Sequence, residues 1–498
     1  MGTKYVLGID CGNTAVKAAV FDCHGQEIGS RAERVETRFP QPGHSETDMI
    51  GLWHKCASVV AAALTELNIP PEDVLAVGVS GHGNGAYLLD NNREPLRAIQ
   101  SLDSRAEAQV NQDKLSPDYP RLSELNRQGV WPSQTATLLK WLKHNEPETY
   151  GNIGVVLFCK DYINFCLTGE CHTEYGDLSA SGLYDYTRGE VSEELLALLG
   201  IEEMQSRIPL TLWSENTVGH VTKSASEQTR LPEGTPVVAG FFDVIASAVG
   251  SGVWDTAEAS LITGTWSINQ VVTDSIPHPD IFMSSVFPGS RYMAMENSAT
   301  SASNLEWFVC EFFAPEKQVA QSLGKSVFEF CNSAVENVKL AENLPLFHPY
   351  LYGSSDLASA GANFFGLAGW HTKSDLLYAV YEGIVFGHME HFLKLNKAGL
   401  HFDNAVLSGG GARSEFWCQL FADVLDIRIA VTPCGETGAR GAAMAAAYAG
   451  GVYETFQDAV RNMSGDYRYF YPDKDKQAIL KARFARYQAV SAFINSGI

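Results

Sequence analysis

The stretch that most constrains the fold is V-V-A-G-F-F-D-V-I-A-S, residues 237–247. It opens as an apolar, β-branched run suited to a buried strand, turns at Gly240, passes two aromatics and an acid, and continues in small residues as a helix. An acid at the mouth of such a turn faces the crevice in which doubly wound α/β sheets bind their ligands. Asp243 is therefore the candidate general base. Phe241 and Phe242 would dry one side of the turn and raise its basicity, while the positive end of the following helix pulls the other way. A plain helix cap is the competing role for the same acid. The stretch lies near the middle of 498 residues, with a glycine-rich turn of phosphate-gripping type about as far into each half. That length exceeds one ordinary core and suffices for two or three.

The first of those turns follows an apolar strand over 5–10 that ends in Asp10. Cys11-Gly12-Asn13-Thr14 and Lys17 come next, and a second strand over 18–22 follows after too few residues for a crossover helix. The pair predicts an antiparallel hairpin. Backbone N–H groups and the Thr14 hydroxyl can meet phosphate oxygens, and Asp10 can hold Mg2+ through water. The Walker pattern G-x-x-x-x-G-K-[ST] is absent. A plain glycine hairpin is the alternative.

An amphipathic helix is expected over 48–67, with Asp48 as its N-cap and Pro70-Pro71 as its stop. A strand over 74–80 then runs into Gly81-His82-Gly83-Asn84-Gly85. There a ligand can approach bare backbone while His82 and Asn84 hydrogen-bond to it; a hairpin turn into a strand at 87–89 is the rival reading. Asp103 and Arg105, two apart, offer a carboxylate and a guanidinium suited to a polyhydroxylated ligand, or a helix-start ion pair. Residues 131–148 read as a helix ended by Pro147, residues 158–169 as a helix closed by a Gly169 turn, 174–181 as a polar loop, and 213–234 as turn-rich.

The second half echoes the first. A strand over 259–263 runs into Gly264-Thr265-Trp266, a second phosphate-type turn. A long helix over 375–397 carries His388 and His391, which lack a suitably spaced third ligand and read as ordinary helix residues. A strand over 406–408 leads into Gly409-Gly410-Gly411-Ala412 and a helix from Ser414, where a purine or ribose could lie on bare backbone. Glu436 precedes a small-residue helix around 441–443, and a final helix with Leu480, Phe484, Tyr487 and Ile494 on one face is basic on the other.

Composition narrows the partners. A formal charge of −22 repels nucleic acid and anionic membrane surfaces. The longest apolar runs, 74–79 and 153–158, fall far short of the roughly 20 residues of a membrane helix. Ten cysteines without a C-x-x-C pair suit reduced thiols in the cytoplasm.

Together these motifs resemble the FGGY family of carbohydrate kinases, from Tyr5 to the last helix. Ala362-x-Phe364-x-Gly366-Leu367, seven residues, then Asp375-Leu376-x-x-Ala379-Val380-Tyr381-Glu382 matches the family's second signature at every fixed place. The resemblance implies two actin-like, ribonuclease-H-like α/β domains with a cleft between them: a sugar-binding domain over 1–245 and a nucleotide-binding domain over 246–498. It implies ATP and Mg2+, with Asp243 taking the proton from a sugar hydroxyl and sharing the metal with Asp10. The sugar would meet His82, Asn84, Asp103, Arg105 and Phe242. ATP would meet Gly12, Asn13, Thr14, Lys17, Gly264, Thr265, Gly409, Gly410, Gly411 and Ser414. A homodimer is compatible with this reading.

The departures point within the family. Leu138 stands where the N-terminal signature usually has Lys, and Asn13 where the first loop often has Thr. D-xylulose kinases tend to read G-D-N around the base and Met-His in the sugar loop; this chain has Phe242-Asp243-Val244 and Gly83-Asn84. With Gly264-Thr265-Trp266, these variants look more like the L-xylulose kinase branch, although His82 replaces that branch's usual Gln. Erythritol or another polyol, D-xylulose and ribulose are the other acceptors this family suggests. A sugar sensor on the same fold would be expected to lose the base or a phosphate loop, and an actin-like ATPase would lack the residues at 82, 84, 103 and 105.

Overall fold

The computed structural model describes residues 3–256, 258–354, 357 and 359–496. Strands and helices collect into two compact α/β units, and both are discontinuous in sequence. The first comprises Met1–Trp254, Val272–Ala294 and Cys434–Gly465; the second comprises Asp255–Val271, Met295–Pro433 and Asp466–Ile498. The sequence reading draws one boundary at 245/246, whereas the compact units exchange chain several times beyond it.

In the first unit, Tyr5–Cys11 pairs antiparallel with Ala15–Asp22 across the expected tight turn and parallel with Val74–Gly81. The sheet extends through Glu27–Arg34 on one side and through Pro236–Val238 and Thr217–His220 on the other. Successive side chains point to opposite faces of a strand, and the two faces here are covered by two different helices. Leu7, Ile9, Val77 and Val79 pack with Leu52, Trp53, Cys56, Val60 and Leu64 of the helix Met49–Glu66. Burying each such side chain is worth about 1.5–3 kcal/mol. Asp48 caps that helix as expected, accepting from the Ile50 and Gly51 N–H groups.

The opposite face has no large side chains at its centre. A Cβ on Gly8 would lie 1.9 Å from the Ala439 carbonyl oxygen, and one on Gly78 would lie 2.0 Å from that of Ala442. The helix Thr437–Ala449 therefore rests on bare strand backbone, an approach only glycine permits.

The second unit repeats the arrangement. Glu258–Thr263 pairs antiparallel with Ser267–Thr273 and parallel with Asn404–Gly409. Arg428–Val431 and Arg468–Phe470 continue the sheet. The long helix Lys373–Lys397 begins with a capping box made by Thr372 and Asp375. His388 and His391 are buried on it and hydrogen-bond to Asn269 and Ser298. Among the described residues, no group of three or more His, Cys, Asp or Glu side chains is disposed to hold a metal ion. Among them too, no helix is long and apolar enough to cross a membrane.

Several local expectations need correction. Residues 174–181 are not a loop: Tyr175–Ala180 is a short helix, because the Glu174 side chain accepts from the Gly176 and Asp177 N–H groups and caps it. The stretch 213–234 contains the strand Thr217–His220 and the helix Lys223–Thr229. The helix expected over 131–148 spans Thr135–Asn145, and Pro147 opens the next turn, Pro147–Gly151, at the position where its missing N–H is harmless. On the final helix, Gln477–Asn495, one of the bases assigned to the outer face is buried. Arg483 pairs with Glu382, its Nε donating to Oε1 at 2.8 Å, and also donates to the Leu344 and Pro345 carbonyls.

Candidate active site

The turn that carries Asp243 is pinned to the central strand. Phe241 and Phe242 pair in parallel register with Ser80 and Gly81, so the next residue begins the helix Asp243–Gly250 at the strand's carboxyl end. Gly240 has φ +78°, and a Cβ there would lie 1.8 Å from the Val79 carbonyl oxygen. Phe242 occupies the N-cap position and Asp243 is the first helical residue, so the capping role does not describe this acid. The Asp243 carboxyl is half-buried. Burial and then the Asp10 carboxylate push its pKa up to about 7, against the pull of His82 and the Val244 N–H. At neutral pH such a group is about half ionised, the condition under which a carboxylate serves best as a general base.

Asp10, next to last in its strand, lies beside Ser80 and opposite Lys17. Ser80 Oγ donates to Asp10 Oδ1 at 2.8 Å. Burial holds the Asp10 carboxyl above its ordinary value, opposed by Ser80 and Lys17 and reinforced by Glu436. Glu436 Oε2 lies 2.8 Å from Lys17 Nζ. A Cβ on Gly438 would stand 3.2 Å from Asp10 Cγ, so the start of the helix Thr437–Ala449 presses directly on this carboxylate. Ser80, Glu436 and Gly438 carry no site role in the sequence reading. The signal for the last two was the run of small residues after Glu436, which reads as packing rather than as part of a site. Two carboxylates that raise the pKa of one of them suit a hard divalent cation, so Asp10 and Asp243 fit Mg2+.

The loops around these acids are stitched to one another. Gly12 N–H donates to the Ala15 carbonyl at 3.0 Å, closing the hairpin, and Thr14 is exposed. Asn13 Nδ2 donates to Ser101 Oγ at 2.8 Å, and its carbonyl accepts from Gln100 Nε2 at 3.1 Å. Ser133 Oγ donates to the Ser101 carbonyl, and the Ser133 carbonyl accepts from Gly85 N–H. His82 is buried between these loops, its N–H on the Cys11 carbonyl and its Nε2 3.0 Å from the Tyr87 hydroxyl. Burial pushes its imidazole down, but the Cys159 sulfur and Asp243 outweigh that and hold it above its ordinary value. Asn84 adopts φ 57° and its Oδ1 accepts from Thr135 N–H at 3.4 Å.

Asp103 and Arg105 are committed mainly to each other and to neighbours on the wall. Arg105 Nε lies 2.9 Å from Asp103 Oδ1 with both side chains at 0% exposure, and its Nη2 lies 2.7 Å from Glu46 Oε1. Asp103 Oδ2 also accepts from Ser45 N–H at 2.6 Å. The two side chains thus form an ion pair, and Arg105 Nη1 is the nitrogen left without a hydrogen-bond partner.

In the second unit the two glycine turns stand side by side. Thr263 and Gly409 face each other in parallel register, which sets Gly264-Thr265 and Gly409-Gly410-Gly411 at neighbouring strand ends. Gly409 has φ +86°, and a Cβ there would lie 2.6 Å from the Thr263 carbonyl oxygen. Gly264 is held through its carbonyl, which accepts from Ala302 N–H at 3.0 Å; Thr265 and Trp266 are exposed. Ser414 caps the helix Glu415–Leu425 and donates to Asn332 Oδ1 at 2.9 Å.

Residues 5–250 match the FGGY family of carbohydrate kinases, N-terminal domain, and residues 259–450 match its C-terminal domain. The chain is 35% identical over 495 residues to an L-xylulose/3-keto-L-gulonate kinase of Escherichia coli, covering 98% of this chain and 97% of that one. It is also 35% identical over 494 residues to a probable L-xylulose kinase of Haemophilus influenzae, covering 97% of each. The crystal structure of xylulose kinase from Rhodospirillum rubrum superposes with a TM-score of 0.85 at 25% identity, covering 99% of both chains.

Proposed function

Because the chain belongs to the FGGY family of carbohydrate kinases, we propose that it transfers the γ-phosphoryl group of Mg-ATP to a hydroxyl of L-xylulose or a related small ketose, with Asp243 as the base. The observation that carries this reading is the placement of Asp243 at the start of its helix, at the carboxyl end of the strand Val74–Gly81, where burial and Asp10 push its pKa up to about 7. A sugar hydroxyl barely ionises at neutral pH, so a carboxylate in hydrogen-bond reach must accept its proton as the bond to phosphorus forms. Asp10 and Asp243 would hold Mg2+, which supplies charge neutralisation at the phosphates. The Gly12–Thr14 turn with Lys17, and the Gly264-Thr265 turn, would receive phosphate oxygens. The Gly409–Gly411 loop and Ser414 would receive the adenosine.

The choice of ketose follows the relatives, whose names specify L-xylulose and 3-keto-L-gulonate. It is also consistent with the aromatic at 242 and the bare glycine at 83. His82 and Asn84 would hold acceptor hydroxyls, with Arg105 Nη1 as a further donor. We place the reaction in the cytoplasm, in keeping with ten cysteines that include no C-x-x-C pair. The test is an ADP-release assay across ketopentoses, keto-acids and polyols. Acceptor-dependent turnover led by L-xylulose is expected; no acceptor-dependent turnover across the panel refutes the proposal.

A further inference from the structure

Phe242 and Gly83 belong to separate motifs in sequence but occupy one space. A Cβ placed on Gly83 would lie 2.4 Å from Phe242 Cδ2, 2.4 Å from Cε2 and 2.9 Å from Cζ. Real Cβ atoms do not approach a ring so closely, so any side chain at 83 requires the ring to shift.

Neither partner has a backbone route of retreat. Phe241 and Phe242 are in register with Ser80 and Gly81, and Gly240 is already pressed on the Val79 carbonyl. Phe241 stacks on Phe456 at 5.9 Å between ring centroids, which fixes the other side of the turn. The loop is equally bound. His82 N–H holds the Cys11 carbonyl, Gly85 N–H holds the Ser133 carbonyl, and a Cβ on Gly85 would lie 2.3 Å from the Ile99 carbonyl oxygen. Thr135 Oγ1 donates to the Gly85 carbonyl at 2.7 Å. With both backbones anchored, only the side chains can exchange the volume.

We propose that Gly83 and Phe242 form a single specificity element, an aromatic wall beside the base that takes the C–H edge of an acyclic ketose and excludes any side chain from position 83. The inference rests on the kinase reading above. The ring offers no hydrogen-bond partner, so an acceptor hydroxyl directed at it would go unpaired, whereas the C–H edge of the carbon chain is accommodated. Acceptor hydroxyls are thereby directed toward His82 and Asn84 instead. Configuration at the carbon facing the ring becomes the feature that is read, because inverting it turns a hydroxyl onto the wall.

The test is a double-mutant cycle on the full-length protein: Gly83→Met, Phe242→Gly and the two together, each assayed with L-xylulose and D-xylulose and each melted thermally. Gly83→Met alone is expected to lower kcat/KM for L-xylulose by about 100-fold and to lower the melting temperature. Adding Phe242→Gly should restore the melting temperature and recover at least about tenfold in kcat/KM, with the L- to D-xylulose ratio reduced. Phe242→Gly alone should also reduce that ratio. Independent effects in the double variant, or an unchanged ratio in every variant, overturn the inference while leaving the kinase intact. A wild-type protein with no turnover on either sugar instead removes the reading beneath it. Should Gly83→Met fail to fold, Gly83→Ala makes the same comparison, since its methyl group alone meets the ring.

Discussion

Replacing Asp243 by Asn separates its catalytic role from its structural one, because the two predict opposite changes. The carboxyl has an ordinary value of 3.8 and is pushed up to about 7 in the folded protein. Between those values the fold holds a proton that the unfolded chain has released, so stability falls as pH rises through that window and the full penalty is present above about pH 7. About three units at 1.36 kcal/mol each set an upper limit of roughly 4 kcal/mol. The side chain is only half-buried, so solvent screening reduces the expected penalty to about 2 kcal/mol. An amide carries no charge and escapes it. Asp243→Asn should therefore match the wild type near pH 4 and be more stable than it by about 2 kcal/mol at pH 8, read from urea melts at the two pH values. Its kcat should fall by about 100-fold or more while ATP and acceptor still bind. An amide variant less stable than the wild type at pH 8 would show that the carboxylate is a structural asset. Retention of kcat within about tenfold would remove Asp243 from the chemistry.

The same shift predicts that kcat/KM falls about tenfold from pH 8 to pH 6, because the base must be ionised in the free enzyme; a flat profile over that range contradicts it. Arg483→Met leaves the Glu382 carboxylate buried and unpaired, so urea melts should show a loss of about 3–5 kcal/mol, and a loss below about 1 kcal/mol would mean the pair adds nothing. Gly78→Ala places a methyl group 2.0 Å from the Ala442 carbonyl oxygen and should cost several kcal/mol or prevent folding; a native melting curve would refute the close packing of that helix. Lys17→Ala removes a half-exposed ion pair, so its melting should shift by less than about 1 kcal/mol while KM for ATP rises; unchanged ATP kinetics would take Lys17 out of the phosphate site.

What the sequence determined by itself is what neighbouring residues decide. The hairpin around Gly12, the capped helix from Asp48, the strand ending in Gly81 and the turn at Gly240 are set by side-chain periodicity, a cap or a glycine within a few positions. The polar run 174–181 misled because a Glu side chain performs the capping that smaller residues usually perform. The assembled site lay beyond such signals. Glu436 meets Lys17 across 419 residues, and Gly438 touches Asp10 only because the segment Cys434–Gly465 returns to the first unit. Asp103 and Arg105 read in sequence as a ligand pair or an ion pair; only the fold adds Glu46 and Ser45 as their partners. The last helix read as basic on its outer face, yet packing places its Arg483 on Glu382. The Asp243 carboxyl takes its value from burial, which the neighbouring Phe241 and Phe242 announce, and from Asp10 and His82, which lie far from it in sequence. Electrostatics depends on distance and solvent exclusion rather than on chain separation, so tertiary structure alone could decide these roles.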